Sequence, residues 1–372
     1  MSESDLGTKR CWIGLNMISK MTPRRFQTLL DHFESPEAIW RAPSGALHNV
    51  PGFSDVVDAF VRERGEIDPD RELARIERLD LHILTLDDGG YPEPLRAIPN
   101  PPPVLYVQGD YLDRDGLSVS IVGTRRCSTY GRLITERLAR ELGKLGFTIV
   151  SGMALGIDTA AHRGALAAGA RTIAVLGSGF AHIYPAENRE LCQRIANAGC
   201  VLSEFSIGMR PDRWTFPQRN RIISGLSRGT IVVEAPATSG ALITADLALD
   251  QGREVFAVPG EITRETSQGT HRLIKQGAKL IEGPEDVVEE FEDLARLLER
   301  SSARSGTEPS TISVSSEERQ VLDALAFDPI HFNDIIEQTG LSPAQVSQLV
   351  LQLQMKELIV EVEGNRYTRM PR

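Results

Sequence analysis

The 372-residue chain lacks the long apolar segments of a membrane protein and the apolar leader of a secreted one. No stretch approaches the roughly 18 uninterrupted apolar residues that a membrane span requires. The first ten residues, MSESDLGTKR, contain no apolar core of a signal peptide. We therefore predict a cytoplasmic protein with no membrane partner.

Cysteine is scarce, and metal-ligand spacing is missing as well. The four cysteines form no Cys-x-x-Cys pair, which argues against a zinc site and a disulfide framework. Asp158 and His162 share one helical face, but two residues supply too few ligands for a metal. A capping Asp158 and a packed or surface His162 are favoured over a catalytic pair. We expect no metal and no cofactor.

Positive charge is in the minority, because 41 lysines and arginines face 51 aspartates and glutamates, for a net charge of −10. This balance argues against a protein that coats nucleic acid through its overall charge. A local basic patch is not excluded, because the field in a groove depends on the charges that line it. The composition, 41% hydrophobic and 25% charged, excludes wholesale disorder.

The first 78 residues predict a helical domain. Thr22-Pro23 is typical of a helix start, and Phe26, Leu29, Leu30 and Phe33 follow at helical spacing. Val50-Pro51-Gly52 allows two interpretations. It is a plain turn in a small bundle, or the hairpin of a helix-hairpin-helix whose backbone amides meet DNA phosphate.

Residues 79–298 predict an α/β fold class, a Rossmann-like and mostly parallel sheet with helices on both faces. Short β-branched runs recur there, separated by glycine turns and helical stretches. The runs are residues 82–86, 104–107, 118–122, 147–150, 172–176, 230–233, 254–258 and 279–281.

Residues 299–312 predict a polar linker, and residues 313–372 predict a winged helix of three helices and a two-stranded hairpin. The third helix, residues 343–357, carries only Lys356 as a positive group. Because duplex binding depends strongly on phosphate neutralisation, we expect this helix to contact a partner or a second copy rather than DNA.

Glycine turns follow several strands, at the edge where open parallel sheets bind ligands. Gly123-Thr124-Arg125 precedes a helix, so its amides and guanidinium suit a phosphate, although a plain tight turn fits equally well. Ser151-Gly152 and Gly269-Thr270 are similar turns, and Lys275 follows the second. Together these turns predict a discontinuous positive groove. None has the G-x-G-x-x-G spacing of a dinucleotide site.

Residues 210–228 hold five arginines against one aspartate, with Trp214 and Phe216 among them. Arginines interleaved with aromatic rings are typical of single-stranded nucleic acid binding, because guanidinium groups take phosphates and rings stack on bases. Arg219, Asn220 and Arg221 begin a helix, so at least one of these arginines is expected to hold the loop internally.

These motifs, in chain order, resemble those of the DprA (Smf) DNA-processing proteins of bacteria, over essentially the whole chain. The matches include Ile121-Val122-Gly123-Thr124-Arg125, Ser151-Gly152-Met153-Ala154-Leu155-Gly156-Ile157-Asp158, Tyr184-Pro185-Ala186-Glu187-Asn188, the run from Phe216 to Ser227, and Leu273-Ile274-Lys275-Gln276-Gly277-Ala278. The end segments match the family's N-terminal SAM-like or helix-hairpin-helix domain and its C-terminal winged helix.

The resemblance implies a non-catalytic protein that binds and protects single-stranded DNA in natural transformation. It further implies that the protein helps to load RecA recombinase and forms a homodimer through the Rossmann-like domain. The family's DNA-contacting arginine falls on Arg125. Its other basic and aromatic positions near the sheet edge fall on Arg189, Phe216, Arg219, Arg221 and Lys275.

Two other classes of function stay open. Rossmann-like enzymes that cleave nucleoside monophosphates use a glutamate near a Pro-Gly-Gly turn, and the corresponding residues 234–240 read EAPATSG, without the double glycine. A winged-helix transcription factor is the third possibility, and the nearly uncharged third helix argues against it.

Overall fold

The computed structural model describes residues 3–291, 314–325, 328–356 and 358–370. The first six helices are α1 (Glu3–Met17), α2 (Pro23–Phe33), α3 (Pro36–Arg41), α4 (Ser44–His48), α5 (Val57–Glu66) and α6 (Pro69–Arg78). The Thr22 side chain caps α2 by accepting a hydrogen bond from the Arg25 N–H, as its place before Pro23 predicts. Gly52, in the turn between α4 and α5, has a φ of +69°. A contact between this turn and DNA stays a prediction.

A nine-stranded sheet forms the centre of the molecule. Its strands are β1 (His82–Thr85), β2 (Val104–Gly109), β3 (Ser118–Val122), β4 (Thr148–Ser151), β5 (Thr172–Val175), β6 (Cys200–Ser203), β7 (Gly229–Val232), β8 (Glu254–Ala257) and β9 (Lys279–Leu280). The spatial order is β1-β2-β6-β5-β4-β3-β7-β8-β9. The pairs β1–β2 and β2–β6 are antiparallel and the others parallel, which confirms the predicted fold class. The β-branched runs predicted from the sequence do not include β6, a strand of four residues that closely follows a helix.

Helices cover both faces of the sheet. They are α7 (Glu93–Arg96), α8 (Thr129–Lys144), α9 (Ile157–Ala167), α10 (Arg189–Ala198), α11 (Thr215–Leu226), α12 (Gly240–Asp250), α13 (Gln268–Lys275) and α14 (Pro284–Glu289). One face packs against α7, α11, α12 and α13. The other packs against α8, α9 and α14 and, beside them, against α10 and the N-terminal helices.

The N-terminal helices and the sheet share one continuous core. Trp12 and Phe26 belong to the same cluster of buried side chains as Tyr106 of β2, Val201 of β6 and Ile195 of α10. The packing therefore shows no break at residue 78, and the domain boundary predicted there stays a proposal.

The strand order reverses at β3. From β3 the chain builds β4, β5 and β6 on one side, then crosses back to place β7 on the other side of β3. Such a switch point leaves a crevice at the carboxyl ends of the two central strands, and ligands of open α/β sheets bind there.

A winged helix follows, with α15 (Ser316–Ala324), α16 (Phe332–Thr339) and α17 (Pro343–Met355) beside β10 (Ile330–His331), β11 (Ile359–Val362) and β12 (Arg366–Arg369). The hairpin of β11 and β12 is the predicted wing, and the two-residue β10 adds a third strand. The predicted linker, residues 299–312, lies outside the described residues. In the described part of the chain, no helix is long and apolar enough to cross a membrane.

Candidate nucleic-acid interface

A cleft of about 510 Å³ opens at the switch point between β3 and β7. One wall is the loop that follows β3, with Gly123, Thr124, Arg125 and Arg126, and the facing walls are the first turns of α11 and α12. These three segments meet because each lies at the carboxyl edge of the parallel strands. We call this space the switch-point cleft.

Two helices direct their N-termini into the switch-point cleft. α11 begins after Trp214, which gives it no side-chain cap, and α12 begins after Ser239, whose side chain accepts a hydrogen bond from the Ala241 N–H. Helix N-termini carry unpaired N–H groups and a partial positive charge, and both favour a phosphate. The buried Thr215 hydroxyl fixes the start of α11 through a 2.6 Å hydrogen bond to the Gly177 carbonyl.

Arginines dominate the charge of the cleft. Arg125, Arg126 and Arg213 line it and are exposed, and Arg219 lines it from a buried position. Among the described residues that line the cleft, the acidic one is Asp158, which is buried. Burial raises the pKa of Asp158, and the nearby Arg219 opposes that shift. The cleft is therefore positive in a chain whose net charge is −10.

Aromatic rings lie beside these arginines. The Arg125 guanidinium is 5.1 Å from the centre of the Phe216 ring, and the Tyr184 ring centre is 5.9 Å from that of Phe216. Gly177 makes room for Phe216, since a Cβ at Gly177 would lie 2.7 Å from the ring. Tyr184 and Trp214 are each about half exposed, which leaves ring surface open for stacking on bases.

Arg219 forms the floor of the cleft. It is 4% exposed, and its Nη1 donates a 3.0 Å hydrogen bond to the Val175 carbonyl. Its Nε has no hydrogen-bond partner. A side chain at Gly152 would collide with both the Arg219 guanidinium and the Asp158 carboxylate, so glycine is required there. Arg219 is thus placed to donate a hydrogen bond to an anionic group that enters the cleft from solvent.

Arg221 is buried away from the cleft, and its contact with DNA stays a prediction. It is 9% exposed, does not line the cleft, and forms a 2.6 Å ion pair with the buried Glu204. Because a buried cation is stable only when it is paired, this arginine is held inside the protein. It supplies the internal fastening that was expected of at least one arginine in this helix.

Four residues of the predicted glycine turns are also buried, and their contacts with DNA stay predictions. The Ser151 hydroxyl donates to the Ile121 carbonyl at 2.6 Å, and Gly152 packs against Arg219. The Gly269 N–H donates to the Ala235 carbonyl at 2.8 Å, and Thr270 is 1% exposed. Polar groups of these residues are bonded within the protein, and of the four, Gly152 packs beneath the cleft, against Arg219.

The remaining predicted residues divide between the cleft and the outer surface. Gly123, Thr124 and Asn220 line the cleft, and the Asn220 amide donates to the Gly240 carbonyl at 3.4 Å. Arg189, at the start of α10, and Lys275, at the end of α13, are exposed but do not line the cleft. Their predicted contacts with DNA stay predictions.

Three residues of the site were not singled out from the sequence: Arg126, Arg213, which was counted only among the five arginines of residues 210–228, and Tyr184. Arg126 and Arg213 could have been found, because each stands close in sequence to a residue that was assigned. Tyr184 belongs to the motif Tyr184-Pro185-Ala186-Glu187-Asn188 that resembles the family, but only the fold brings its ring to Phe216.

His162 and Glu234 are both occupied by structural hydrogen bonds. The His162 Nε2 donates to the Gly152 carbonyl and its Nδ1 bonds the Thr172 hydroxyl, each at 2.7 Å. Burial lowers the pKa of His162 to about 4, so the ring is neutral at pH 7. The Glu234 carboxylate accepts from the backbone N–H and the hydroxyl of Ser128. Within the described ranges, no group of three His, Cys, Asp or Glu residues is placed to hold a metal.

Comparison with known protein families covers most of the chain. The family model described as DNA recombination-mediator protein A matches residues 82–292. The model described as the DprA winged helix domain matches residues 305–365. Protein Smf of Synechocystis is 36% identical, over 96% of this chain and 98% of that protein.

Two solved structures are similar. The X-ray structure of DNA processing protein A from Streptococcus pneumoniae has a TM-score of 0.67 and 37% identity, and the match covers 76% of this chain and 98% of that one. DNA processing protein A from Helicobacter pylori has a TM-score of 0.51 and 34% identity, with 59% and 97% of the two chains covered. The latter structure concerns the binding of single-stranded DNA.

Proposed function

The chain belongs to the family of DNA recombination-mediator protein A, and from this premise we propose that it binds single-stranded DNA in the switch-point cleft. The observation that carries the proposal is the joint placement of Arg125 and Phe216. A guanidinium lies over a ring at the mouth of a positive cleft. One group is suited to a phosphate and the other to the face of a base.

The binding mode follows from these groups. Helix N-termini and arginines hold phosphates, which carry no sequence information, and rings stack on any base. We expect weak sequence preference and an affinity that falls steeply with salt, because each phosphate contact releases counterions.

A duplex meets the cleft less well, because its bases are already stacked on one another and cannot stack on Phe216 or Tyr184. The winged helix does not compensate for this loss. The outward face of α17 carries the exposed apolar side chains of Leu351 and Met355, where phosphate contacts would require cations. This face is better suited to a protein partner, and that role also argues against a transcription factor that reads duplex DNA.

The same proposal extends to the partners. A protein that holds single-stranded DNA and belongs to a recombination-mediator family would protect incoming DNA and help to load RecA recombinase, acting as a homodimer through the Rossmann-like domain. Light scattering would give the mass in solution, and a monomer would contradict the dimer. Loading is measured as RecA activity on a strand that is already coated with single-strand-binding protein.

The competing proposal is a nucleoside monophosphate hydrolase. Two observations support binding over catalysis. Residues 234–240 lack the double glycine of that phosphate turn, and both oxygens of the Glu234 carboxylate already accept hydrogen bonds from Ser128. Release of free base from a nucleotide by the purified protein would favour the hydrolase.

The deciding experiment is a fluorescence-anisotropy titration of labelled oligo-dT and of a duplex of equal length, at two salt concentrations. We expect salt-sensitive binding to the single strand, weakened in Arg125→Gln. Arg194→Gln is the matched control, since Arg194 is exposed on α10 and does not line the cleft. Preference for the duplex, or equal binding by all three proteins, would contradict the proposal.

A further inference from the structure

We propose that the arginines of α6, in the N-terminal helical unit, form a second binding surface for the phosphate backbone of the strand held in the switch-point cleft. The proposal rests on the proposed function and extends the bound length of DNA beyond the cleft. Arg71, Arg75 and Arg78 are spaced i, i+4 and i+7, so they form a single stripe along the helix.

The two ends of the stripe, Arg71 and Arg78, are exposed, and the adjacent side of α6 is buried. Glu72 and Ile76 point inward, at 1% and 5% exposure. Arg71 and Arg78 are exposed and form no ion pair in the described structure, whereas Asp70, the exposed acid of the first turn, pairs with Arg10. Two of the three arginines are therefore available to an anion.

α6 is fastened to the loop that leads to the cleft, residues 204–214. The Glu72 carboxylate accepts a 2.7 Å hydrogen bond from the Ile207 N–H. Arg75 pairs with Glu72 at 3.4 Å, and its Nη1 lies 3.6 Å from the position that a Cβ on Gly208 would occupy. The centre of the stripe thus lies against the loop itself.

The loop continues the positive surface from α6 to the cleft. Arg210 and Arg213 are exposed, and Arg213 lines the cleft beside the half-exposed Trp214. Basic side chains therefore occur on the cleft wall, on the loop and on α6 in spatial succession. In a chain with a net charge of −10, exposed arginines that lead away from a single-strand cleft fit a phosphate backbone that leaves the cleft. The path is not uniformly basic, since Asp212 in the loop and Glu77 on α6 are exposed as well.

The test is binding by Arg71→Gln/Arg78→Gln to two labelled oligo-dT strands in the full-length protein. One strand of about 6 nucleotides fills the cleft alone, and one of about 20 nucleotides also reaches α6. The matched control is Lys20→Gln/Arg24→Gln, which removes two exposed cations from the same unit but not from α6. Both variants change the net charge equally.

We expect the α6 variant to bind the short strand like the wild type and to bind the long strand more weakly, by about fivefold for each phosphate that is no longer neutralised. The salt slope for the long strand should decrease by about 0.7 for each such phosphate. Equal long-strand affinity in all three proteins would overturn the inference. Weaker binding of both strands, or weaker binding by the control variant, would also overturn it. If the wild type binds neither strand, the proposed function itself fails.

Discussion

The loop that follows β3 and the first turns of α11 both carry arginines, and they hold them in opposite surroundings. Arg125 is exposed at the cleft mouth, with its guanidinium over Phe216. Arg221 is buried two turns into α11 and is paired with Glu204. The difference arises because a loop at a sheet edge faces solvent, whereas one side of α11 packs on the sheet. One arginine is suited to bind and the other to hold the fold.

The largest expected effect would come from the buried arginine. Arg221→Met leaves the Glu204 carboxylate buried without its partner, and we expect it to lower the free energy of unfolding by about 3–5 kcal/mol. Urea denaturation measures this change. The double variant Arg221→Met/Glu204→Gln should recover much of the stability, because the uncompensated charge is then removed. Wild-type stability in Arg221→Met would break the comparison, since the arginine would then have no structural role.

The second prediction concerns His162, a buried residue of α9 whose ring bonds the Gly152 carbonyl just after β4. The folded protein keeps this ring neutral down to a pKa of about 4, whereas the unfolded chain binds a proton near pH 6.5. Between those values the unfolded state holds more protons, so stability falls as the pH drops from 6.5 to 4. This group destabilises the fold by about 3 kcal/mol at the low end.

His162→Gln isolates this contribution, because glutamine retains a donor for the Gly152 carbonyl and does not titrate. The stability of the variant should fall less than that of the wild type between pH 6.5 and pH 4, as measured by denaturation at each pH. Parallel pH profiles for the two proteins would contradict the prediction.

The third prediction concerns Phe216, which lies beside the exposed Arg125 at the mouth of the cleft. Phe216→Leu keeps an apolar group against Gly177 but removes the ring that faces Arg125 and the cleft. We expect single-strand affinity to fall by about 1–3 kcal/mol, the usual contribution of one stacked base. The urea midpoint of the variant should stay close to that of the wild type. A large fall in stability with unchanged affinity would place Phe216 on the structural side instead.

The smallest effect is expected for a single exposed cation. Arg213→Gln removes one arginine from the cleft wall, and we expect single-strand affinity to fall about fivefold, with a salt slope smaller by about 0.7. Because Arg213 is exposed and forms no ion pair in the described structure, the unfolding free energy should not change. A salt slope equal to that of the wild type would show that no phosphate lies at Arg213.

Local patterns predicted the elements well where one physical rule dominates. β-branched runs identified eight of the strands because a parallel sheet buried on both faces needs continuous apolar segments. The start signal Thr22-Pro23 holds for a similar reason, since helix ends need local hydrogen-bond partners. The strands β6 and β10 were missed because β6 directly follows a helix and β10 has only two residues.

The site was predicted only in part. The Gly123-Thr124-Arg125 turn and Phe216 line the cleft, as the sequence suggested. Ser151, Gly152, Gly269 and Thr270 were assigned to the same surface but are buried. Glycine and small polar residues occur equally at a ligand and at close contacts between backbone segments, so their presence in a turn does not distinguish the two.

The sequence by itself determined the alternation of strands and helices, the winged helix and the family, because each depends on periodicity or on motifs in chain order. The tertiary structure alone decided which arginines face solvent, that Tyr184 lies beside Phe216, and that α6 is fastened to the loop before Trp214. The reason is physical. Burial and contact depend on how elements pack across long sequence separations, and an arginine has the same letter whether it binds a phosphate or an internal carboxylate.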